Sequence, residues 1–166
     1  MYRSIYERSN EYQIGNSKKV PNNLMEEFIM YELINNLVTS QRVKNISKLK
    51  REVFIVLYLC DGKLKGNADY DCIGTKDFVP FPDTDIVIEN CKRLNTNSIL
   101  LMHNHPYRRG LETFFMKEYY HKPSIRDIAS TRLFTDLVKR QGINVLDHII
   151  VTGDGSYFSF VENYLM

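Results

Sequence analysis

The sequence predicts an α/β domain built on one mixed central sheet flanked by helices. Two observations carry this. From residue 52 onward, short β-branched and aromatic runs alternate with segments of helical period, the pattern of strands and helices sharing one core. The composition, 43% hydrophobic and 25% charged, is that of a folded globular chain and excludes a disordered or collagen-like one. At 166 residues, a single core can bury about 70% of the surface that the unfolded chain exposes.

The elements follow in order. Residues 1–20 mix charged, polar and aromatic residues without periodicity and read as a polar leader of low order. They lack the apolar core of a signal peptide. Asn22 and Asn23 offer caps for a helix carrying Met25, Phe28, Ile29, Leu33 and Leu37 on one face. Arg42, Lys44, Lys48, Lys50 and Arg51 follow with no acid between them. This strip reads as a solvated basic linker, with a phosphate-facing surface as the alternative. The chain then divides into a leader at 1–20, a helix and linker at 21–51, and the main domain at 52–166.

Residues 52–60 form a dense apolar run, and Asp61-Gly62 is a hairpin signal leading to a second strand near 69–74. Pro80 and Pro82 end that part of the sheet. Asp83 or Thr84 caps a helix to about Leu94, with Val87, Cys91 and Leu94 inward. Residues 97–103 read as a buried strand. Pro123-Ser124 opens a helix marked by Ile125, Ala129, Leu133 and Leu137, closed by Gly142 in a left-handed conformation. Residues 143–151 and 156–160 read as two final strands.

Bulk properties narrow the function classes. A net charge of +2 is too small to announce a nucleic-acid binder. The longest apolar run is far short of a membrane span, so no membrane association is expected. Cys60, Cys72 and Cys91 contain no C-x-x-C pair and are odd in number, which argues against a disulfide framework. They read as small buried hydrophobes in a reducing, cytoplasmic setting.

The chemistry concentrates in two places. His103 and His105 flank Asn104 at the carboxyl end of a predicted strand, where residues i and i+2 share a face. Both imidazoles can converge on one ion, or form separate hydrogen bonds. Ser124 and Asp127 stand three apart at a helix start, the spacing of a capping box. Together the two histidines and one carboxylate make a set that suits zinc with an open position for water. Glu52 is a candidate base.

Glu52, His103-Asn104-His105-Pro106 and Ser124-x-x-Asp127 resemble the signature of the JAB/MPN (JAMM) metalloprotease family, most closely its bacterial RadC-like branch. Pro123–Asp127, Leu146-Asp147-His148-Ile149-Ile150-Val151, Thr131 and Gly142-Ile143 also fit that branch. The resemblance covers 52–160. It implies a cytidine-deaminase-like JAB/MPN domain and one zinc ion per chain held by His103, His105 and Asp127. Glu52 would deprotonate the water, and Ser124 would hydrogen-bond the oxyanion. The implied activity is hydrolysis of peptide or isopeptide bonds in a protein or peptide substrate.

The chain also departs from the family. Tyr107–Pro123 supplies 17 residues between the two motifs, more than the family usually has. Its aromatics, Phe114, Phe115, Tyr119 and Tyr120, suggest a flap, a docking helix or a contact within a homo-oligomer. Pro82-Asp83-Thr84 replaces the branch's Pro-Arg-Glu, and one helix stands where a helical bundle is expected. His148 reads as a hydrogen-bonded sheet histidine and His121 as solvent-facing. Two other functions stay open: a DNA-associated role with weak contact through the 42–51 cations, Arg108 and Arg109, and a zinc-containing interaction module without turnover.

Overall fold

Seven successive buried residues open β1 (Val53–Cys60), so both faces of this strand are covered. The computed structural model describes residues 22–67, 72–106 and 122–166, apart from the side chains of 22–29 and 67. Asp61 and Gly62 follow β1 with φ of 50° and 68°, the two left-handed residues of a tight hairpin turn. Such a turn lets pairing resume at once, so β2 is Lys63–Asn67, with Cys60 opposite Lys63. The strand expected near 69–74 is therefore corrected. Among the described residues of that stretch, the two-residue β3 (Cys72–Ile73) falls there, pairing with the start of β1.

The remaining strands are β4 (Ser98–His105), β5 (Asn144–Thr152) and β6 (Tyr157–Ser159). They complete a sheet of order β2-β1-β4-β5-β6, with β3 against β1. β4 runs antiparallel to β1 and parallel to β5. The mixed sheet expected from the sequence is present.

Helices cover both faces. On one side α1 (Asn22–Thr39) and α2 (Gln41–Ser47) bury Ile34, Val43 and Ile46 against Ile55, Leu57, Leu100, Met102 and Ile149. Leu33 and Leu37 pack partly against this cluster, as the helical period predicted. The basic linker is corrected in part. Residues 41–47 are helical because Ser40 caps them and Val43 and Ile46 enter the core, while all five cations of the strip lie on the surface.

On the opposite side α3 (Thr84–Leu94) and α4 (Ile125–Lys139) bury Val87, Cys91, Phe134 and Val138 against Phe54, Val56, Tyr58 and Leu101. Asp83 caps α3 and Ser124 caps α4. Gly142, with φ of 75°, turns the chain out of α4 toward β5. α4 is rotated from the face the sequence suggested. Ile125 is 87% and Leu133 63% exposed, with Leu137 also on the surface, whereas Thr131, Phe134 and Val138 are buried.

After β6 the chain is pinned by Asp147. Its carboxylate accepts hydrogen bonds from Ser159 Oγ at 2.6 Å and from the backbone N–H of Val161 at 3.0 Å and His148 at 2.7 Å. Burial nonetheless pushes its pKa above the usual range. The leader at 1–20, Arg108, Arg109, His121 and the proposed flap within 107–121 lie outside the described residues. No described helix is long and apolar enough to cross a membrane.

Candidate metal centre

The site forms at the carboxyl end of β4, the strand flanked by antiparallel β1 on one side and parallel β5 on the other. Strand alternation puts His103 and His105 on the face that carries Phe54, which pairs with His103 and stacks on its ring at 5.8 Å. His103 is 1% exposed, and His105 is half-buried at the rim. Their Nε2 atoms stand 3.2 Å apart. That is close to the edge of a tetrahedron with arms of about 2.0–2.1 Å, the length of a zinc–imidazole bond.

Asp127 arrives from the first turn of α4. Its Oδ1 lies 3.8 Å from His103 Nε2, and its Oδ2 lies 3.8 Å from His105 Nε2. The capping box that the spacing suggested is also present. Asp127 Oδ2 accepts from Ser124 N–H at 2.7 Å, and Asp127 N–H donates to Ser124 Oγ at 3.1 Å. The cap and the metal reading are thus compatible, since the cap aims the carboxylate at the histidines. Among the described residues, His103, His105 and Asp127 form the cluster that could hold a metal ion.

Electrostatics suit a cation. Burial, and then the neighbouring His105 charge, push the His103 pKa down to about 3, against the pull of Asp127. Its imidazole therefore stays neutral and keeps a lone pair for a metal. Burial alone would raise the Asp127 pKa, but the hydrogen bonds from His105 and Ser124, with His103 close by, hold it well below the usual carboxylate range. A carboxylate and a neutral imidazole are the forms that ligate.

Glu52 precedes β1 and is half-buried. The register that pairs Phe54 with His103 sets Glu52 across from His105 when carried two residues on. Its backbone is held on one side by N–H donation to Thr75 O at 2.6 Å and by acceptance from Gly74 N–H at 2.8 Å. Gly74 has no room for a side chain, since a Cβ there would lie 2.0 Å from Phe78 O. On the other side the Asn104 amide bridges the flanking residues. Its Oδ1 accepts from Val53 N–H at 2.8 Å and its Nδ2 donates to Arg51 O at 3.1 Å.

Sequence reasoning passed over one contact. His148 is a hydrogen-bonded sheet histidine as expected, but its partners belong to the site. Its Nε2 is 2.8 Å from His103 Nδ1, and its Nδ1 is 2.7 Å from Thr131 Oγ1. The signal that would have found it is the parallel β4–β5 register, in which Leu101 pairs with His148. That puts His148 on the face of His103, one step along.

Comparison with known proteins agrees with this geometry. The RadC-like JAB domain matches residues 34–165. A UPF0758 protein of Clostridium botulinum (strain Langeland) is 31% identical over 159 residues, which cover 95% of this chain and 55% of that protein. One from Alkaliphilus metalliredigens is 28% identical over 165 residues, 98% of this chain and 57% of its own. A third, from Pelobacter propionicus, is 46% identical over 65 residues, 39% of this chain and 23% of that protein. The chain spans a little over half the length of the first two relatives. With that domain matched over 34–165, the chain belongs to the RadC-like JAB domain family.

Proposed function

We propose that the chain is a zinc-dependent hydrolase of the JAB/MPN type that cleaves peptide or isopeptide bonds. The observation that carries this reading is the convergence of His103, His105 and Asp127 within 4.8 Å of one another. Two imidazoles and one carboxylate leave a fourth tetrahedral position open, the arrangement of catalytic zinc. His103 and His105 would hold the ion through Nε2, and Asp127 through a carboxylate oxygen. When bound, zinc would polarise the substrate carbonyl and lower the pKa of water toward about 7.

The protein's own groups would do the rest. Glu52 takes a proton from the attacking water and returns it to the amine nitrogen as the C–N bond breaks. Ser124 Oγ already accepts from Asp127 N–H, so its hydroxyl proton is left to donate to the oxyanion. The substrate is a protein or peptide, and the free cysteines fit a reducing, cytoplasmic setting.

Glu52→Gln tests the assignment. The variant should keep one zinc per chain by elemental analysis and lose about 100-fold or more of its turnover on peptide and isopeptide-linked reporters. Loss of zinc from the variant, or unchanged turnover, would count against the role given to Glu52.

A further inference from the structure

Three side chains, Thr131, His148 and His103, form a continuous hydrogen-bonded line that starts on the Asp127 carbonyl behind the cluster. Thr131 Oγ1 is 2.6 Å from Asp127 O. A carbonyl oxygen only accepts, so the single hydroxyl proton of Thr131 is committed to that bond. Thr131 Oγ1 must then accept at its second contact, which makes His148 Nδ1 the donor at 2.7 Å. A neutral imidazole carries one proton, so His148 Nε2 is left as an acceptor. It faces His103 Nδ1 at 2.8 Å, and that contact is a hydrogen bond only when His103 Nδ1 bears its ring proton. His103 Nε2, turned toward His105 and Asp127, is therefore the nitrogen with the free lone pair.

The surroundings hold this line in place. Thr131 and His148 are fully buried. The His148 ring stacks on Phe160 at 4.6 Å, meets Phe81 edge-on at 5.7 Å, and lies 5.3 Å from Phe54. These walls are apolar, so rotating the ring out of line would leave buried nitrogens without partners. The line also ties together the three elements that meet at the site. It begins on the backbone of Asp127 in α4, crosses to β5 at His148 and ends on β4 at His103.

We propose that Thr131 and His148 are positioning residues that fix His103 as its Nδ1–H tautomer, so that Nε2 faces the site ready to bind a metal. This rests on the metal reading given above. A neutral histidine free in water exchanges between tautomers and ring orientations. Here one arrangement is selected before any ion arrives, and a partner behind a ligating histidine strengthens the ligand. The motif residues contact the ion; Thr131 and His148 act only through His103.

Two measurements on the full chain test the proposal. Nitrogen-15 NMR of the metal-free protein should show His103 protonated at Nδ1 and His148 protonated at Nδ1. A His103 carrying its proton at Nε2 would overturn the relay. Zinc affinity, measured by competition with a chromophoric chelator, should fall about 10- to 100-fold in His148→Leu. His148→Gln keeps an acceptor near the position of Nε2 and should recover most of that loss. Thr131→Val keeps the shape of the threonine and removes its hydroxyl, so it should also weaken zinc binding and change the visible spectrum of the cobalt-substituted protein. Wild-type affinity and an unaltered cobalt spectrum in Thr131→Val and His148→Leu would overturn the proposal. Should His148→Leu fail to fold, the valine variant and the tautomer measurement still decide. If the unmutated protein bound no zinc, the metal reading would fall, while the NMR result would still judge the relay by itself.

Discussion

Asn104 sits between the two histidines yet serves the opposite face of the sheet. Alternation along β4 turns its side chain away from the metal cluster, where it is fully buried and bonds the peptide groups on either side of Glu52. The order of His-Asn-His therefore does two jobs, with the outer residues gathered where an ion could bind and the middle one holding the strand that carries Glu52, the proposed base. Asn104→Ala would leave Val53 N–H and Arg51 O without these partners, at a cost of about 1–3 kcal/mol for the buried Val53 N–H. The expected outcome is a clear drop in urea-unfolding stability with zinc stoichiometry intact. An unchanged unfolding midpoint would show that the bridge carries no weight. His103, His105 and Asp127 were legible in the sequence because strand alternation and helix capping are local rules. His148 was not assigned to the site because its approach to His103 depends on the β4–β5 register, which no local pattern states.

Helix α4 shows how a local pattern can mislead about orientation. Ile125, Ala129, Leu133 and Leu137 form a clean i, i+4 row, and apolar periodicity alone would turn it inward. Asp127, Thr131, Phe134 and Val138 form a competing row that includes the candidate metal ligand Asp127 and the hydroxyl of Thr131. The second row wins because it pairs buried polar groups at the site and places Phe134 5.7 Å from Phe81. The aliphatic row is left on the surface. Neighbouring residues should therefore respond very differently. Leu133→Lys should change unfolding free energy by no more than about 0.5 kcal/mol, as surface substitutions do, whereas Phe134→Ala should cost about 3–5 kcal/mol. Denaturant titration of the two variants checks this, and comparable losses would contradict the observed rotation. The other differences have similar causes. Strand β2 is a short polar run, Lys-Leu-Lys-Gly-Asn, without alternation to mark it, and only the turn geometry places it. Helix α2 is hidden by its cations because Val43 and Ile46 are its only apolar residues.

At the scale of the whole molecule, the sheet separates structural support from chemistry. The face under α1 and α2 is an aliphatic core. The face under α3 and α4 mixes the aromatics Phe54, Tyr58 and Phe134 with aliphatics and ends at the candidate metal cluster. The candidate ligands come from β4 and the start of α4, and Glu52 from the threshold of β1, so an ion there would tie parts of the chain that separate on unfolding. Binding to the native state alone raises stability by mass action, by about 2.7 kcal/mol when free metal is 100 times its Kd. For a chain of this size each kcal/mol moves the thermal midpoint by about 2–4 °C. Zinc at that excess should therefore raise Tm by about 5–10 °C, and a chelator should reverse the gain. His103→Ala with His105→Ala removes two of the three ligands and should abolish the response in differential scanning calorimetry. Asn104→Ala should start from a lower Tm and show a zinc increment close to wild type, since it supports the strand and does not touch the ion. An equal zinc increment in the double variant would place the stabilising metal elsewhere on the chain and separate this cluster from the protein's response to zinc.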